Sequence, residues 1–153
     1  MKILTLAFLF RGDQILLPMK KVGFGAGKWN GYGGNIEEGE EPIDCIIRET
    51  EEESGLVIER NACKELGYMD FYFNDKEEWN QRVFIYRIDE FNGEPVETKE
   101  MRPQWFDIKD IPYHEMWKGD DIWIPNVLSN KNFTGEVYLD ENGTKVISSN
   151  III

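Results

Sequence analysis

Histidine and cysteine are nearly missing from this chain. His114 is the single histidine, and Cys45 and Cys63 are the only cysteines among 153 residues. Neither cysteine has a partnering base nearby in sequence, so catalysis through an activated nucleophile is a poor fit. The cysteines lack the spacing of metal ligands, and two of them make no disulfide framework, which points to a reducing, cytoplasmic setting. Positive charge is scarce as well. Seventeen Lys and Arg face 29 Asp and Glu, for a formal net charge of −12, and such a surface repels both duplex nucleic acid and anionic membranes. No apolar run is long enough to span a bilayer. The start, Lys2 to Phe10, has the look of a signal peptide but lacks a small-residue cleavage site. A second apolar run follows at once, so a strand is expected there. No repeat, linker or low-complexity tract divides the chain. What is present, 41% apolar and 13% aromatic residues, suits one globular domain over residues 1–153 with a sizeable core, expected to be a monomer.

The most informative stretch runs from Gly34 to Leu56, GNIEEGEEPIDCIIRETEEESGL. It opens in the glycine turn Gly31-Tyr32-Gly33-Gly34. Pro42 falls where the first turn of a helix tolerates a missing N–H. Ile43, Ile46, Ile47 and Thr50 recur at helical spacing, and Gly55 supplies the stop. Glu49, Glu52 and Glu53 stand three and four residues apart, so their carboxylates share a face near the end of the helix. Like charges at that spacing repel, and acids there oppose the helix dipole. A hard cation would offset both penalties, because carboxylate oxygens suit magnesium and leave positions open for water and phosphate. A solvated acidic face is the simpler reading of a charge run, but it leaves unexplained the two flanking glycine turns and Arg48 in the middle.

The pattern G-x5-E-x7-R-E-U-x-E-E-x-G-U, with U a bulky aliphatic, is met by Gly34, Glu40, Arg48, Glu49, Glu52, Glu53, Gly55 and Leu56. It resembles the signature of the Nudix hydrolase superfamily, the Nudix box, here over residues 34–56. Thr50 stands where a bulky aliphatic is usual. Thr5-Leu6, the loop Gly23 to Gly34, the segment Glu100 to Phe106, and Met116-Trp117 followed by Asp120-Asp121 and Trp123 are similar to one branch. That branch is the mammalian-type, MutT-like oxidised purine nucleoside triphosphatase, whose substrates include 8-oxo-dGTP.

The resemblance implies an α+β Nudix fold, a mixed β-sheet sandwiched between helices. It also implies metal-dependent hydrolysis of oxidised purine nucleoside triphosphates to a nucleoside monophosphate and pyrophosphate, which sanitises the nucleotide pool and serves DNA repair. The cofactor would be Mg2+, with Mn2+ as the alternative, held by the Gly33 carbonyl, Glu49, Glu52, Glu53 and Glu100. The same carboxylates are the candidates for catalysis. Glu40 and Arg48 are expected to pair and hold the loop against the helix. Thr5, Lys20, Phe24, Asn30, Phe71, Phe73, Trp79, Trp117 and Asp120 are the candidate substrate contacts. Asn30 and Asp120 are suited to read purine edges by hydrogen bonds, and Trp117 to stack on the base. The box alone fits other substrates equally well, a sugar nucleotide, a dinucleoside polyphosphate or an mRNA cap. A nucleotide-binding sensor without activity is a further alternative, which the intact glutamate set disfavours. A calcium-binding loop is absent.

Along the rest of the chain, Lys2–Phe10 and Gln14–Met19 read as a β-hairpin. The loop Lys20 to Asn30 has three lysines but departs from a phosphate-binding P-loop at Val22 and Trp29. Extended structure is expected to begin at Leu56–Ile58, with strands at Gly67–Phe73, Gln81–Ile88 and Trp105–Ile108. Asp120 is expected to cap a helix running to about Leu128. Phe133–Leu139 and Thr144–Ile147 flank the turn signal Asp140 to Gly143.

Overall fold

The computed structural model describes residues 1–153. Seven strands form one mixed sheet: β1 (Lys2–Arg11), β2 (Gln14–Lys20), β3 (Cys63–Phe73), β4 (Gln81–Ile88), β5 (Met101–Asp107), β6 (Phe133–Leu139) and β7 (Val146–Ile152). Their spatial order is β5-β2-β1-β4-β3-β6-β7. The β1–β4 and β3–β6 pairs are parallel and the others antiparallel. The helices α1 (Pro42–Ser54) and α2 (Asp120–Leu128) lie on opposite faces of this sheet.

Side-chain alternation in β1 decides what each face becomes. Leu4, Leu6, Phe8 and Phe10 point to one core, shared with Trp123, Ile124 and Val127 of α2. Ala7 and Leu9 point to a second core with Ile46 of α1, Leu56, Ile58 and Tyr86. A central strand buried on both faces reads as a continuous apolar run, which is why LTLAFLF has no polar alternation.

Helix α1 begins at Pro42 and ends at Gly55, whose φ of 79° lets its N–H donate to the Glu51 carbonyl. Thr50 is fully buried on the inner face with its hydroxyl unpartnered. It stands at the aliphatic position of the box.

Four boundaries differ from expectation. Leu56–Ile58 is not a strand. Leu56 and Ile58 are buried in the second core while Val57 is exposed, and no strand pairs with the segment; β3 begins only at Cys63 after a short 3₁₀ turn. Strand β5 starts four residues earlier than Trp105, because Met101 to Gln104 pair with β2. Strand β7 runs over Val146–Ile152 and not Thr144–Ile147, since Asp140 takes the Thr144 N–H and hydroxyl to close the turn. The cap of α2 is Gly119, at φ 97°, and Asp120 is the first helical residue.

The sheet opens between β1 and β2. Their pairing covers Leu9–Arg11 against Gln14–Leu16. Beyond it the segment 29–35 is inserted, bridging Met19 to Trp29, Ala7 to Tyr32 and Leu4 to Asn35. This wedge carries the glycine turn and joins the two faces of the sheet at one point.

Candidate active site

The wedge is built on contacts that admit no side chain. A β-carbon on Gly33 would lie 1.9 Å from the Thr5 carbonyl oxygen, and one on Gly34 would meet the Glu49 carboxyl at 2.8 Å. The Gly33 N–H donates to Glu53 Oε1 at 2.9 Å, while its carbonyl accepts no hydrogen bond from the protein. Arg48 lies against the turn. Its Nε and Nη2 donate to the two oxygens of Glu40 at 2.8 and 3.0 Å, and its Nη1 donates to Glu49 at 2.9 Å. It also reaches the Asn35 carbonyl at 3.3 Å. The forked, charge-assisted pair holds the Glu40 carboxyl down at about 2. Glu40 and Arg48 thus tie the acidic loop to the helix.

Glu49, Glu52, Glu53 and Glu100 line one small polar cleft, of about 200 Å3, with Thr98 and Lys99. They line its walls without three of them converging into a ready cage. Glu52 and Glu100 are exposed, Glu49 is half-buried and Glu53 is buried. Burial pushes the Glu53 carboxyl up to about 8, reinforced by the charges of Glu49 and Glu100. Only the Gly33 N–H and the Lys20 charge oppose the rise. Burial likewise raises Glu49, against the pull of Arg48. Hard oxygen donors, repelling one another beside a free carbonyl, fit a divalent cation.

On the other side of the wedge lies a larger cavity, of about 460 Å3. All nine residues expected to contact substrate line it: Thr5, Lys20, Phe24, Asn30, Phe71, Phe73, Trp79, Trp117 and Asp120. Glu53 lines both spaces. Within the cavity the nine are not equivalent. The Thr5 hydroxyl is turned to α1, 3.1 Å from Cys45 Sγ and 3.4 Å from the Gly34 carbonyl. Phe24, more than half exposed, packs at 5.0 Å from Trp117 and 5.7 Å edge-on to Trp79 across the mouth. Asn30 Oδ1 accepts the Gly31 N–H at 2.9 Å, which leaves its amide N–H groups free.

Asp120 closes the far end. It is 3% exposed; Oδ1 accepts the Trp123 indole N–H at 3.2 Å, and Oδ2 is buried without a partner. Burial raises this carboxyl to about 8, with Trp123 and Lys28 pulling the other way. Asp121 is exposed and lies outside the cavity. Five polar lining residues were not among the expected substrate contacts: Lys2, Lys28, Asn35, Gln81 and Lys118. Lys2 was accessible from strand alternation, since it shares its face with Leu4 and Leu6, but the others are set by loop geometry and strand pairing.

An aromatic cavity joined through one buried glutamate to an acidic cleft at a helix end is the arrangement of a metal-assisted hydrolase. The chain belongs to the NUDIX family: the NUDIX domain matches residues 3–127, and the protein is a Nudix hydrolase, a family that generally uses divalent metal ions. Over 146 residues it is 44% identical to the oxidized purine nucleoside triphosphate hydrolase of Danio rerio, spanning 95% of this chain and 90% of that protein. It is 39% identical over 143 residues to the Mus musculus protein of the same name, spanning 94% and 90%. Among solved structures, a MutT protein from Bacillus halodurans superposes with a TM-score of 0.86, covering 99% of this chain and 97% of that one. At 22% identity it is a match of fold. No helix is long and apolar enough to cross a membrane.

Proposed function

We propose that this enzyme hydrolyses oxidised purine nucleoside triphosphates such as 8-oxo-dGTP to the nucleoside monophosphate and pyrophosphate, and so clears them from the nucleotide pool. The observation that carries the reading is the buried Asp120 carboxyl, with one oxygen unpartnered, at the end of an aromatic cavity that reaches Glu53. The two similar proteins from Danio rerio and Mus musculus, named for oxidized purine nucleoside triphosphates, support the same substrate class.

The purine would lie against Trp117, with Phe71, Phe73 and Trp79 excluding water around it. Asp120 would stay neutral at pH 7 and donate a proton to an acceptor on the base while the Asn30 amide donates to another. The triphosphate would leave the cavity past Lys20 and Gly33 toward the acidic cleft. Glu49, Glu52, Glu53, Glu100 and the Gly33 carbonyl would hold Mg2+ there. A cation so held supplies neutralisation of the phosphate charge and orientation for in-line attack by water. Glu53, fixed by the Gly33 N–H and lining both the cavity and the cleft, would hold the cation where the triphosphate passes from one to the other.

The test is a panel of ordinary and oxidised purine triphosphates, sugar nucleotides and dinucleoside polyphosphates in Mg2+, with products separated by chromatography. The expected result is the highest kcat/KM on an oxidised purine triphosphate, with pyrophosphate and monophosphate formed in equal amounts. Orthophosphate with a nucleoside diphosphate, or a sugar nucleotide as the best substrate, overturns the reading.

A further inference from the structure

The large cavity inverts the charge of the protein around it. Four lysines line it, Lys2, Lys20, Lys28 and Lys118, against two carboxylates, Glu53 and Asp120, in a chain of net charge −12. None of the four ammonium groups has an ion-pair partner, although Lys21, next to Lys20, pairs with Glu97 at 2.5 Å. Lys20 serves the Glu53 end, where phosphates would pass. Lys28 lies at the other end.

The Lys28 backbone is pinned to the end of β2 on one side and to its own glycine loop on the other. Its carbonyl accepts the Lys20 N–H at 3.1 Å and its N–H donates to the Gly25 carbonyl at 3.1 Å. Its ammonium lies 5.2 Å from the centre of the Trp117 ring, and its charge is felt by buried Asp120. Its neighbours at this end also offer protons. Asn30 has spent its oxygen on Gly31, so its free edge is the N–H2 group. A neutral Asp120 offers a hydroxyl at its unpartnered oxygen. A pocket end rich in donors is complementary to a base rich in carbonyl acceptors and leaves donors unpaired against a base that lacks them.

We infer that Lys28 is a specificity-determining residue, whose ammonium donates to a carbonyl oxygen of the base and so favours oxo-purines over amino-purines. This rests on the proposed substrate class and adds a residue to it. The alternative role is mechanical: a cation lying over the Trp117 indole props that wall of the cavity, and its loss would weaken every nucleotide alike.

Steady-state kinetics on 8-oxo-dGTP and dATP, which carry two carbonyls and none on the purine ring, separate the two roles. Lys28→Met keeps the length of the side chain and removes its charge. It is expected to lower kcat/KM on 8-oxo-dGTP about tenfold or more, the order of a lost charged hydrogen bond, mainly through KM, and to leave dATP within about twofold. Lys28→Arg should retain the preference. The same selective loss is expected in the dissociation constants of 8-oxo-dGMP and dAMP measured by calorimetry, which need no cleavage. An unchanged ratio between the two bases in Lys28→Met overturns the inference while leaving the proposed activity standing. A wild-type enzyme that does not turn over 8-oxo-dGTP overturns both.

Discussion

Gly33 and Glu53 are joined by a 2.9 Å hydrogen bond from the glycine N–H to the carboxylate, which ties the wedge between β1 and β2 to the last turn of α1. Through this one contact the base cavity on one face of the sheet and the acidic cleft on the other share a group.

Glu53→Gln keeps the oxygen that accepts from Gly33 and removes the charge. Turnover is expected to fall by about two orders of magnitude or more with the fold retained, because a neutral amide is a poor partner for a divalent cation. Without metal, the melting temperature of the variant should match or exceed that of the wild type, since burial already disfavours the charged form. Adding Mg2+ or Mn2+ should raise the wild-type melting temperature much more than that of the variant. Near-normal rates in the variant, or full wild-type activity in chelator, contradicts the assignment.

Arg48→Lys cannot reproduce the forked pair with Glu40 while also holding Glu49. A lower melting temperature and a several-fold loss of kcat/KM are expected. The Glu40 carboxyl is held down at about 2 by Arg48, so the pair stabilises the fold above the ordinary carboxylate range and is lost as pH falls through about 2. Acid unfolding followed by circular dichroism should therefore show a shallower loss of stability between about pH 5 and 2 in Arg48→Lys than in the wild type.

Asp120 gives the opposite pH dependence. Its carboxyl is raised from 3.8 to about 8, so the folded protein keeps a proton that the unfolded chain has released above about pH 4. Stability from this group is greatest at low pH, declines as pH rises, and levels off above about 8. Asp120→Asn never ionises. Its stability relative to wild type should rise between pH 6 and 8, by at most about 1.4 kcal/mol per pH unit, measured by denaturant melts at each pH. A relative stability of the variant that stays flat or falls with rising pH contradicts the protonated state.

Base recognition is tested by Asp120→Ala, which removes the donor that Asn would retain. It is expected to lower kcat/KM on 8-oxo-dGTP much more than on dGTP, by a loss on the order of 2 kcal/mol for a buried polar pair. Asp121→Asn should change little, because Asp121 is exposed and lies outside the cavity. Equal losses on both substrates, or a larger effect at Asp121, would move recognition elsewhere in the loop.

Sequence spacing was enough for the signature stretch, although two local boundaries, the α2 cap at Gly119 and the turn that Asp140 closes on Thr144, were misplaced. Gly34, Glu40, Arg48, Glu49, Glu52 and Glu53 are set by one loop and one helix, and Pro42 and Gly55 mark the bounds of α1 by backbone conformation alone. Strands β1 and β2 were legible because their side chains are mostly apolar on both faces. Two other boundaries were set by tertiary partners: Met101 to Gln104 became strand because β2 lies beside them, and Leu56 to Ile58 did not because no strand lies beside them.

The family signature and its carboxylates were therefore determined by the sequence itself, since a helix fixes which residues share a face at separations of three and four. Only the tertiary structure decided that Glu53 would be buried and shared by two spaces, that the Thr5 hydroxyl would turn away from the cavity, and that Lys28 and Lys118 would line it. Those outcomes depend on which segments meet across the opened sheet, and residues far apart in the chain carry no mark of that meeting until the backbone has closed around it.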